Sequence, residues 1–149
     1  MGERQRSRRG KRTEAQISFN MSRVRSSGSR IERMLEEALR KAGVRPKKQA
    51  AIVGRPDFVF RAARVAVFCD SHFWHGYKWK ERKHEIKSNR KFWLEKIQHN
   101  IKRDRYVNRT LRRAGWLVVR FWQHQILHSP SKCAAKVKQV VTARRTGLI

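Results

Sequence analysis

The sequence predicts an α/β fold, a small central mixed β-sheet flanked by helices. Two β-type runs, Asp57–Ala62 and Arg64–Asp70, lie close enough together to form a hairpin. A third run, Trp116–Trp122, follows only after a long helical pattern, and further helix-period stripes stand at both ends of the chain. The order is therefore α, β, β, α, β, α, in which helices must pack on the sheet. At 149 residues and 39% hydrophobic content, the chain can bury one core without disulfides. Residues 1–20 read as a basic tail, disordered when free, and residues 21–149 as a single domain.

The elements follow in order. A first helix starts with Ser29 as N-cap, places Ile31, Leu35, Ala38, Leu39 and Ala42 on one face, and ends at Gly43. Glu32 lies in its first turn, where the helix dipole favours a carboxylate. Pro46 and the pair Lys47-Lys48 read as a connection to the hairpin. Residues 71–88 mix aromatics, Lys, Gly and His and read as an irregular loop. A long helix from about Asn89 to Arg113 carries Phe92, Trp93, Ile97, Ile101 and Leu111 as apolar markers, and Gly115 stops it. The run WLVVRFW is the strongest strand signal, and Trp116, Phe121 and Trp122 are assigned to the core. Ser129 followed by Pro130 at the first helical position opens a last helix through Val140.

Charge narrows the function. The chain carries 38 Lys and Arg against 11 Asp and Glu, a formal net charge of +27. Such an excess suits a polyanion and points to nucleic acid. No segment approaches the length of a membrane span, and no apolar stretch follows the basic N-terminus as a secretory signal would require. Cys69 and Cys133 form no CxxC pair, which fits a reducing cytoplasm and no disulfide framework.

Against that background the acidic groups need a reason. The aspartates of the chain are Asp57, Asp70 and Asp104. Asp57 opens one apolar run, Asp70 closes the next, and His75 follows beside Phe73 and Trp74. A carboxylate on a phosphate-binding face repels its ligand unless a cation lies between them. Mg²⁺ takes hard oxygen ligands, usually one or two carboxylates plus water. Asp57 is the natural anchor, and a backbone carbonyl near Cys69 on the adjoining strand offers a second oxygen. His75 can exchange a proton with water or phosphate, and Asp104 can orient its imidazole. Each residue alone also has a plainer reading: a turn aspartate, a strand end, a packed histidine, a surface ion pair.

Four stretches, in order, resemble the very-short-patch repair endonuclease family of the PD-(D/E)xK nuclease superfamily. These are Asn20 to Ser26 with Ile31-Glu32, then Gly54-Arg55-Pro56-Asp57, then Phe73-Trp74-His75-Gly76, and last Phe92 to Ile97 with Asn100, Asp104 and Gly115-Trp116. The resemblance spans about residues 20 to 125 and implies a restriction-endonuclease-like core. It implies that Asp57 binds Mg²⁺ together with the carbonyl of Cys69, that His75 is the catalytic histidine, and that Asp104 supports it. Glu32 would reach the metal through water, and Asp70 would play a supporting part where superfamily members often keep a lysine. The substrate implied is double-stranded DNA with a T:G mismatch, nicked on one strand, and repair proteins would be its partners on the nucleoid. Phe73, Trp74 and Trp93 match aromatics wedged beside the mispair. Met21 matches a residue intercalating from the other groove, and Lys96 and Asn100 match contacts to the mismatched bases.

One departure stands out. Where the best-known members hold a structural zinc with Cys and His, this chain has His72, Tyr77, Trp79 and His124. Tyr and Trp do not close a four-ligand site, so a structural zinc is not expected. Two other functions stay open on the sequence. One is a homing-type, restriction-associated or defence endonuclease of the same fold; the other is a non-catalytic basic nucleic-acid-binding protein.

Overall fold

The computed structural model describes residues 30–48 and 50–149. The basic tail, Met21 and the Ser29 N-cap lie outside the described residues. Helix α1 spans Arg30–Lys41, and Gly43 ends it with φ of 80°. The sheet contains β1 (Lys47–Lys48), β2 (Phe58–Phe60), β3 (Val65–Asp70) and β4 (Leu117–Trp122), in that spatial order. The first two junctions are antiparallel and β3 pairs with β4 in parallel, which makes the sheet mixed as expected. Helix α2 (Trp79–Arg82) and a 3-10 turn (Lys83–Glu85) precede α3 (Arg90–Arg113). Helices α4 (Gln123–His128) and α5 (Pro130–Arg145) close the fold.

Period-2 alternation divides the core between two faces. Phe58, Phe60, Val65, Val67, Val119 and Phe121 point to one side, where α1, α4 and α5 cover them with Leu35, Leu39, Ile126, Val137 and Val141. Val59, Ala66 and Phe68 point to the other, against Val107 and Leu111 of α3. Both faces are covered, so β2 and β3 read as near-continuous apolar runs. Leu35 and Leu39 are wholly buried. Removing either to Ala costs about 2–5 kcal/mol by the usual cavity penalty.

The structure departs from the sequence reading in several places. Lys47-Lys48 forms a short edge strand rather than a connection, paired with Phe58 and Val59 and tied to α1 by Lys48 Nζ on Glu36 Oε2 at 2.8 Å. The loop at 71–88 contains α2 and the 3-10 turn. A helix at Gln123–His128 was not expected, and α5 runs to Arg145 instead of stopping at Val140. Trp122 is half-buried against the rings of Tyr77 and His72 rather than in the core. Among the described residues no helix is long and apolar enough to cross a membrane.

Candidate active site

The proline of the GRPD segment ends a ladder. In the β2–β3 register Phe58 faces Val67, so the next inward-facing position opposite Cys69 is Pro56. Pro56 is buried and has no N–H to give the Cys69 carbonyl. In place of a ladder bond, the Cys69 N–H donates to Oδ2 of Asp57 at 2.7 Å. One residue's N–H and C=O leave an extended strand from the same edge. The Cys69 carbonyl and the Asp57 carboxylate thus lie on the same side of β3.

Asp57 lies within side-chain hydrogen-bond reach of Glu32 from α1. Burial pushes the Asp57 carboxyl up to about 7; the Cys69 N–H opposes the rise, and the charges of Glu32 and Asp70 add to it. A carboxyl held this far toward its neutral form by burial and by other acids is one that a cation would release. Among the described residues no three His, Cys, Asp or Glu side chains close a metal cage. Two carboxylates and a carbonyl with open positions suit Mg²⁺, which keeps several waters.

A second cluster adjoins the first. His75 Nδ1 lies 2.7 Å from Oδ2 of Asp104 and 3.6 Å from Oδ1 of Asp70. Asp104 is therefore the hydrogen-bond partner, and Asp70 is a nearby charge. Arg120 donates through Nη1 to both oxygens of Asp70 at 3.0 and 3.1 Å, and through Nε to Asn108 at 2.8 Å. Its Nη2 stands 3.6 Å from Asp104, and its guanidinium lies 4.0 Å over the Phe68 ring. Asp70 is almost wholly buried, and burial raises its pKa while His75 and Arg120 pull it back down. For His75, burial works against the imidazolium, but the Asp104 hydrogen bond and the charges of Asp70 and Asp104 outweigh it, so its pKa is raised. Arg120 and Asn108 escaped the sequence reading. The signal available was a lone cation inside an apolar strand.

Helical spacing supplies the wall. Asn100, Asp104, Val107, Asn108 and Leu111 recur at three- and four-residue steps on α3 and meet the Phe68 face of the sheet. Two glycines let the motif segments approach this helix. A Cβ on Gly54, at φ of 78°, would collide with Val107, and one on Gly76, at φ of 66°, would collide with Ile101. The result is a groove of about 680 Å³ with Glu32, Asp57, Asp70, His75 and Asp104 within it and Arg30, Arg55 and Arg103 among the residues that line it.

The expected DNA-contact residues are placed less uniformly. Trp74 is only 8% exposed, packed edge-on against Phe73 and Trp93 at 5.4 and 5.8 Å. Phe73, Trp93 and Lys96 are half-buried, whereas Phe92 is 51% exposed beside Trp93. Asn100 donates to the Trp74 carbonyl at 3.1 Å, so it positions that turn in the free protein. Of the four residues at the zinc positions, His72 Nε2 and His124 Nδ1 are 2.7 Å apart, Tyr77 stacks on His72 at 4.4 Å, and Trp79 lines a cavity that His72 and Tyr77 also border. Burial, then His124 and Arg82, lower the pKa of His72.

A family profile described as DNA mismatch endonuclease Vsr matches residues 10–81. The type II nicking enzyme V.NmeDIP of Neisseria meningitidis serogroup C is 44% identical over 122 residues, covering 81% of this chain and 82% of the relative. The type II nicking enzyme V.HpaIIP of Haemophilus parainfluenzae is 38% identical over 80% of this chain and 86% of the relative. The DNA mismatch endonuclease Vsr of Escherichia coli (strain K12) is 35% identical over 71% of this chain and 68% of the relative.

Proposed function

The chain belongs to the DNA mismatch endonuclease Vsr family and is a DNA endonuclease; from that premise we propose that it nicks one strand of duplex DNA beside a T:G mispair, with Mg²⁺ as cofactor. The observation that carries the proposal is the paired arrangement in one groove. An Asp57 carboxyl and the Cys69 carbonyl edge lie on one side, and a His75–Asp104 couple lies on the other.

In this reading Asp57 and the Cys69 carbonyl hold the metal, with Glu32 reaching in from α1. Mg²⁺, when bound, neutralises phosphate charge and makes water a stronger nucleophile. Asp104 fixes His75 through Nδ1, so Nε2 is the ring atom left to move a proton at the phosphodiester. Asp70 does not replace the superfamily lysine as a donor. Its role is to pin Arg120, which in turn borders Asp104. Arginines lining the groove hold the flanking phosphates. Phe73, Trp74 and Trp93 form the wedge, which requires Trp74 to leave its buried position on DNA, and Lys96 and Asn100 contact the mispair. Met21 acts from the other groove. No structural zinc is needed: Trp79 has no lone pair for a metal, so the four positions do not close a tetrahedral site.

The names of the more identical relatives favour a second reading, a restriction-associated nicking enzyme with its own sequence context. The test common to both is cleavage by Asp57→Ala. We expect it to lose nicking while duplex binding survives, since the variant removes a metal ligand and no phosphate contact. Undiminished cutting by Asp57→Ala, or by the wild type in EDTA, would falsify the metal assignment.

A further inference from the structure

We propose that the cavity behind the aromatic wedge is a binding pocket for one unpaired nucleobase of the DNA, with Trp79 as its stacking platform. The cavity measures about 290 Å³. That is near the lower end of small-ligand pockets, roughly 300–1,000 Å³, and suits one planar heterocycle rather than a stretch of chain. Phe73, Tyr77, Trp79 and Trp93 wall it, with Arg82 and Glu85 beside them.

Three features favour a base. The first is aromatic surface. Tyr77 is already covered by His72, and Trp93 packs edge-on with Phe73, Trp74 and Phe92. Among the described residues no other ring lies against Trp79, which is half-buried and lines the cavity. The second is polar chemistry at the edge. Arg82 Nε donates to Glu85 Oε2 at 3.2 Å, which leaves the Nη groups of Arg82 as donors and the other lone pairs of Glu85 as acceptors for the edge of a base. Lys80 and Lys87 nearby are exposed and can hold the backbone phosphate of the displaced nucleotide. The third is position. Trp74 and His75 line the catalytic groove, while Phe73, Gly76 and Tyr77 of the same turn line this cavity. A base pushed out of the stack by Phe73 and Trp93 would therefore meet the cavity directly, with the groove one turn away.

The inference rests on the proposed opening of the duplex, so its test supplies the unpaired base ready-made. Affinity is measured in EDTA for a duplex with one bulged thymine and for its matched counterpart. Wild type should prefer the bulge. Trp79→Ala and Trp79→Leu should weaken bulge binding by about 5- to 150-fold, the worth of one base–aromatic stack, and matched binding by less than about twofold. Trp79→Phe should keep most of the preference. 5-Iodouracil at the bulge should photo-crosslink to Trp79 or Tyr77. The pocket is refuted if wild type shows no bulge preference, if Trp79→Ala weakens both duplexes alike, or if the crosslink forms only at residues outside the cavity such as Trp74 or Phe92. A Trp79-dependent bulge preference without any T:G preference would support the pocket and remove the mismatch reading.

Discussion

Two histidines three residues apart in one turn are shifted in opposite directions. His75 meets Asp104 at 2.7 Å with Asp70 close by, and its pKa is raised. His72 meets another histidine at the same 2.7 Å, and its pKa is lowered. The residue type, the turn and the distance are alike, so the difference comes from the partner's charge. On the acidic side the turn is tied to α3 and β4 through carboxylates and Arg120. On the other it is clamped to the start of α4 by the His124 and Tyr77 rings around His72 and by the His72 N–H on Gln123 at 2.9 Å. The first side is suited to moving charge and the second to holding the turn in place.

The strongest way to break this contrast is at Arg120. Arg120→Met leaves Asp70 buried without the Nη1 that donates to both of its oxygens, and such an uncompensated buried charge costs about 3–5 kcal/mol. Urea unfolding should show that loss, and nicking should fall with it because Asp104 loses its neighbour. If stability stays unchanged, the pair is not what holds the acidic side together.

Next in size is Asp104→Asn. Removing an orienting partner of this kind typically costs about 10–100-fold in rate. The sign of the pH effect follows from the electrostatics. Asp104 raises the His75 pKa, so its loss should move the His75 titration to lower pH. The extra stability that charged His75 brings is full below its unfolded value of about 6.5 and fades as pH rises through the raised folded value. NMR titration of the His75 ring checks the shift, and a value that stays put or rises contradicts it.

The smallest effect belongs to His72. Its lowered pKa means the folded protein resists protonating it. Stability is therefore full above about 6.5 and declines as pH falls through the lowered folded value. In melting scans from pH 7 to pH 5, His72→Gln should lose less than wild type. Identical slopes would show that the pair does not titrate in this range.

The acidic side was more legible than the neutral one. Asp57, Asp70 and Asp104 stand out against a charge of +27, and the GRPD and FWHG segments fix their spacing. Arg120 did not stand out, because a strand pattern read for apolar alternation passes over one cation whose partners lie 16 and 50 residues away. The edge strand Lys47-Lys48 is two residues long, too short to show a period. Helix α4 is six residues and follows β4 with no Gly or Pro between them. The burial of Trp74 depends on α3 packing across Gly76, a tertiary contact with no local signature. The hairpin, the long helix and the strand that follows it needed only local period and turn chemistry, and they were visible for that reason.

Nicking at a mispair is tested most directly by single-turnover nicking of T:G and matched C:G duplexes in Mg²⁺, across varied flanking sequences, with Asp57→Ala and Trp74→Ala in parallel. Much faster nicking of T:G is expected, with no nicking by Asp57→Ala, and a loss of mismatch preference in Trp74→Ala with duplex affinity largely kept, because phosphate contacts supply most of that affinity. Equal rates on T:G and C:G duplexes in every flanking context would contradict nicking at a mispair.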